Sequence, residues 1–185
     1  IFIESPPELY MKLKSYRKQF RLIWIISGMM FFFWLIYSYQ AHGVDDHLLK
    51  DSQAVRVKEN DHYYSFSPVR KFQNVMIFFP GSLVDPLAYV PLSREISEHT
   101  VQVYLMKMPW RMASRGYNQL IELQLLNDRT KSYTLVGHSQ GGKMAAQFVY
   151  ENPDLVQKLI LIGTTHPRDI SLVDSKVSIL KIYGS

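Results

Sequence analysis

Between residues 22 and 41 the sequence LIWIISGMMFFFWLIYSYQA is apolar all round a helix and carries no charge. Twenty helical residues rise about 30 Å, the hydrocarbon thickness of a bilayer. A core helix of a soluble domain keeps a polar stripe, and none recurs here, so the stretch predicts a transmembrane helix. Trp24, Trp34, Tyr37 and Tyr39 fall toward its two ends, where amphipathic rings favour the headgroup region. Residues 42–52 read as a solvated linker. Beyond them come short β-rich runs separated by stretches of helical spacing. Runs at 54–58 and 62–66, joined by the polar Glu59, Asn60 and Asp61, predict an antiparallel pair. Further strands are expected at 74–79, 101–106, 133–136, 159–162 and 177–182. Several are apolar on both faces, the habit of parallel strands covered above and below. Helices are expected at 86–98, 117–126 and 141–150, the last ended by Asn152 and Pro153. The alternation is βαβ, which predicts an α/β domain.

Between the fifth expected strand and the third expected helix lies TLVGHSQGGKMAA, a G-x-S-x-G pentapeptide centred on Ser139. A serine hydroxyl is a poor nucleophile unless a sharp strand-to-helix turn lifts it clear of the backbone, beside a base and near oxyanion donors. Gly137 and Gly141 would give such a turn its room, since side chains there would meet the adjoining strand and helix. At roughly 7% Gly and 7% Ser, the three fixed positions recur by chance in about one chain in sixteen of this length, so the flanks decide. In an elbow of this kind the backbone N–H of Gln140, at the start of the helix, is one oxyanion donor, and the loop after the 74–79 strand supplies the second.

Charge alters the picture only at the N-terminal end. The net charge is +5, but Lys12, Lys14, Arg17, Lys18 and Arg21 face only Glu4 and Glu8 before the apolar stretch, and the rest is nearly balanced. A local cluster of this kind excludes a nucleic-acid surface on the main domain. The positive-inside rule puts residues 1–21 in the cytoplasm and the domain from residue 53 outside it. A cleaved signal peptide shares the basic and apolar regions, but its cleavage site would need a small residue where Tyr39 stands. The first residue is Ile1, so the natural start is expected upstream. No cysteine is present, which removes disulfides and thiolate chemistry.

The order of elements resembles the α/β-hydrolase fold over residues 53–185. More narrowly, FFPGSLVDPLAYVPLSREI, KMP after the fourth strand, GHSQGGKMAA and the final LKIYGS resemble bacterial dienelactone-hydrolase-like α/β hydrolases. Ser82 stands where that group has a second Gly, and Gln140 where it has Leu. The resemblance implies a mostly parallel sheet with helices on both faces, no cofactor and no metal. It makes the Ser82 N–H the second oxyanion donor, with Gly81 giving the backbone room to approach a substrate. It also puts the acid within a residue or two of Ser185 and the histidine further on, because the order in this fold is Ser, acid, His. The sequence is therefore expected to be a fragment, inert until the rest is restored.

Residues already present are weaker candidates for those roles. Asp169 lies in the loop after LILIGTTHP, the other place where some members of the fold carry an acid, and His166 is close to it in sequence. His138 reads as structural. His42, Asp45, Asp46 and His47 cluster without a recognised metal-ligand spacing and read as linker. Trp110, Arg111 and Arg115 could face an anionic group, although a solvated helix start accounts for the arginines equally. The expected function is a membrane-anchored serine hydrolase, held through Leu22 to Ala41, that cleaves an ester, thioester or amide of a small-molecule or lipid-like acyl substrate through an acyl-enzyme on Ser139. The alternative is a non-catalytic binding protein of the same fold at the membrane surface, and a third reading keeps the fold with lyase or haloperoxidase chemistry.

Overall fold

A computed structural model describes residues 7–184, with side chains from Tyr16 onward, so Glu4 and the closing Ser185 lie outside the described residues. The chain divides into two compact units, residues 1–40 and 41–185. In the first, helix α1 (Pro7–Ser38) runs for 32 residues. It begins well before the expected segment and stops three residues short of its end, where Ser38 Oγ donates to Trp34 O at 2.8 Å. Its stretch Tyr16–Ser38 has a mean hydropathy of 1.8 and is long and apolar enough to cross a membrane. Trp24, Phe31, Phe32, Phe33 and Trp34 are all exposed, so the apolar surface covers every face.

The second unit is built on seven strands: β1 (Val55–Glu59), β2 (Tyr63–Pro68), β3 (Asn74–Phe79), β4 (Val101–Met106), β5 (Ser132–His138), β6 (Lys158–Ile162) and β7 (Ser178–Ile182). They form one sheet in the order β1-β2-β4-β3-β5-β6-β7. The β1–β2 and β2–β4 pairs are antiparallel and all others parallel. Helices α2 (Val90–Glu98), α3 (Gln119–Glu122) and α4 (Gln140–Glu151) join the parallel strands. Alternate residues of β3 enter two separate cores: Val75, Ile77 and Phe79 pack with Leu120, Ala145, Phe148 and Val149, while Phe78 packs with Val90, Val103 and Val136. Because successive strand residues point to opposite faces, the sheet carries α4 on one side and α2 on the other.

Three expectations change. Residues 42–52 are not a solvated linker: Asp46–Leu49 form a short 3-10 helix, Val44, Leu48 and Leu49 pack on the second core, and the buried Arg94 Nη1 donates to Leu48 O and Lys50 O, both at 2.8 Å. The helix at 117–126 shrinks to one turn because Gln124 takes a left-handed φ of 54°. The 86–98 helix opens as a 3-10 turn over Pro86–Tyr89, capped by the Asp85 carboxylate on the Leu87 N–H, before α2 begins. At the far edge, Ile179, Leu180 and Ile182 of β7 are exposed.

Candidate active site

The strand order reverses at β3, whose neighbours β4 and β5 carry the chain to opposite sides, and loops that diverge at such a point leave a crevice at the carboxyl ends of the strands. Ser139 and the loop Pro80–Gly81–Ser82 both lie at that edge, since Phe79 and Gly137 are register partners. Ser139 has φ 51° and ψ −119°, between the end of β5 and the start of α4. For a residue with a side chain such a conformation costs about 1–3 kcal/mol, so the surroundings must fix it. Its N–H donates to Ile162 O at 2.9 Å, and its carbonyl accepts from the Gly142 N–H at 3.1 Å. A Cβ at Gly137 would lie 2.4 Å from Gly142 N, and one at Gly141 would lie 2.3 Å from the carbonyl oxygens of Phe79 and Pro80. The turn therefore exists only because both positions are glycine. The Ser139 side chain is exposed.

Facing it, the loop after β3 has most of its N–H groups committed. Gly81 N–H donates to Tyr89 Oη at 3.2 Å, Leu83 N–H to Arg111 O at 2.8 Å and Val84 N–H to Gly81 O at 3.2 Å. The Ser82 N–H makes no hydrogen bond among the described residues. At α4, the Gln140 N–H belongs to the first turn, where helical amides lack an intrahelical acceptor and the dipole favours negative charge. The Ser82 and Gln140 N–H groups are thus both without an acceptor among the described residues, and Ser139 is exposed.

Sequence reasoning missed the side chains that brace this edge. Tyr89 Oη lies 2.8 Å from His138 Nδ1, and the Tyr89 ring packs on Phe78 with centroids 4.8 Å apart. Burial raises the Tyr89 phenol above its ordinary pKa, a shift the Gly81 N–H opposes. Asp85, itself buried, takes the Arg111 guanidinium at 3.0 Å and the Ala41 N–H at 3.3 Å. Arg111 is therefore committed to structure, while Trp110 beside it, at φ 55°, is 81% exposed. Sequence carried one signal for Asp85: an Asp-Pro pair opening a helix is a cap.

The other candidates are not drawn together with Ser139 by any described interaction. His166 Nδ1 lies 2.7 Å from Pro167 O, and Asp169 is exposed. Among the described residues, the histidine–carboxylate ion pair is His47–Asp45 at 2.7 Å, both side chains exposed, and no group of three or more metal-ligating side chains forms.

Comparison with known proteins fits this geometry. The Alpha/beta hydrolase family profile matches residues 75–185. No curated protein sequence matches the chain. Among solved structures, a candidate esterase from Staphylococcus aureus is similar at 19% identity and a TM-score of 0.52, over 74% of this chain and 52% of that one. A thermostable carboxyl esterase from Bacillus coagulans is similar at 15% identity and a TM-score of 0.50, over 62% and 46%. MenH from S. aureus is 22% identical at a TM-score of 0.47, over 57% and 43%. The chain thus spans about half the length of the structures it matches. With the family profile covering more than half of its residues, and the sheet order and strand-to-helix turn in place, the chain belongs to the alpha/beta hydrolase family.

Proposed function

We propose that the chain carries the nucleophile and oxyanion half of a membrane-anchored serine hydrolase. Ser139 Oγ attacks the carbonyl carbon of an ester, thioester or amide, and the electron pair of the C=O moves to oxygen. The Ser82 and Gln140 N–H groups stabilise that oxyanion, an arrangement in which the loss of one donor costs about 10²–10³ in rate. Collapse expels the leaving group and leaves an acyl-serine, which water then hydrolyses. The hydroxyl proton passes to a general base, which in this family is a histidine that follows the nucleophile in chain order. The substrate is a small-molecule or lipid-like acyl compound, and α1 holds the domain at the bilayer with its N-terminal end in the cytoplasm.

The observation that carries this reading is the Ser139 backbone at φ 51° and ψ −119°, held between two glycines that admit no Cβ. Strain of this kind at an exposed serine supports a turn that presents its hydroxyl. A fluorophosphonate tests it: Ser139 Oγ bonds to phosphorus as fluoride leaves. Full-length protein is expected to be labelled and the Ser139→Ala variant not; equal labelling of the two defeats the reading.

A further inference from the structure

The Ser82 N–H belongs to the Gly81–Ser82 peptide, and a trans peptide is planar, with its C=O and N–H pointing opposite ways. The Gly81 carbonyl is held by the Val84 N–H at 3.2 Å. Whatever fixes the Gly81 backbone therefore also fixes the direction of the Ser82 N–H. One further tie acts there, the hydrogen bond from the Gly81 N–H to Tyr89 Oη at 3.2 Å. The same hydroxyl lies 2.8 Å from His138 Nδ1. The Tyr89 hydroxyl thus accepts from the Gly81 N–H and shares a second hydrogen bond with His138 Nδ1, in which the imidazole tautomer sets the donor. Contacts around the imidazole are close: a Cβ on Gly81 would lie 2.9 Å from His138 Nδ1, and one on Gly163 3.6 Å from Nε2. Burial keeps the phenol protonated, and Phe78 holds its ring.

We infer that Tyr89 and His138 are positioning residues for the oxyanion loop, which rests on the serine-hydrolase reading above. His138 immediately precedes the nucleophile, so the chain Ser139–His138–Tyr89–Gly81–Ser82 ties the attacking oxygen to the donor that must meet its product. The loop and the elbow are thereby held at one spacing, although they come from different strands. Removing the hydroxyl leaves the ring and its packing in place but takes away one of the two ties on Gly81, so the Gly81–Ser82 peptide is held less firmly, through the Val84 N–H.

The experiment measures the second-order rate of fluorophosphonate labelling at Ser139 in the full-length protein, together with kcat and KM on p-nitrophenyl acetate. Tyr89→Phe is expected to lower the labelling rate about tenfold, less than the outright loss of a donor, and to lower kcat with KM unchanged. His138→Leu is expected to do the same, the double variant to lose no more than either single, and His138→Asn, whose side-chain amide can present a hydrogen-bonding atom at the Nδ1 position, to recover most of the rate. Amide exchange at Gly81 is expected to speed up in Tyr89→Phe. Thermal unfolding of each variant separates loosened geometry from lost folding, and His138→Leu stands as an independent arm if Tyr89→Phe does not fold. If wild-type protein is labelled and both variants match its rate, the positioning role falls and the hydrolase reading stands. If wild-type Ser139 is not labelled at all, both fall together.

Discussion

A methyl group at position 141 would lie 2.3 Å from two backbone oxygens, those of Phe79 and Pro80, and neither can move without dragging β3. Position 43 offers the contrast, with φ +73° and nothing within 4 Å of where a methyl would sit. Gly141→Ala is therefore expected to destabilise by about 3 kcal/mol or more through overpacking, and Gly43→Ala by only about 1–2 kcal/mol of left-handed strain. Thermal unfolding of the two variants side by side checks the ranking, and equal midpoints would sink it. Residues of this kind are legible in sequence because glycine at a fixed offset from a serine is a local pattern. The Tyr89–His138 contact is not, since its partners lie 49 residues apart and nothing in either neighbourhood announces the other.

At the scale of elements, all seven strands lie where the sequence predicts them, and for the inner β3, β4 and β5 the reason is that two-sided burial leaves little room for polar residues. Helix lengths are less legible. Residues 117–126 have helical spacing, yet Gln124 turns left-handed and the chain closes on Leu120 through the Leu125 N–H. Between β4 and α3 the two 3-10 turns, at Pro109–Arg111 and Ala113–Arg115, hang on the ion pair of Arg111 with Asp85, a partner 26 residues away. The clasp of α2 on residues 48–50 is hidden for the same reason. Arg94 there satisfies two carbonyls that would otherwise stand at the surface. Arg94→Leu is expected to release residues 41–52 from the second core, seen as a new tryptic cut at Lys50 under native conditions. An unchanged digest would show that Val44, Leu48 and Leu49 hold the stretch unaided.

For the whole molecule, the membrane anchor proposed above rests on α1, whose stretch Tyr16–Ser38 is long and apolar enough to cross a bilayer. Alkaline carbonate is expected to leave the full-length protein in the membrane pellet, and a protease added to sealed spheroplasts to digest the domain from residue 41 onward. Release by carbonate, or protection of the domain in intact spheroplasts, would overturn the anchor or its orientation.

The edge strand β7 has a consequence at this scale too. Ile179, Leu180 and Ile182 are exposed, and Lys181 is the lone charge among its five residues. An uncovered strand with apolar side chains on both faces is a template on which another chain can add. Expressed as these residues alone, the domain would meet copies of itself before it met solvent on equal terms, and Ile182→Lys would be the first substitution to try for keeping it dispersed.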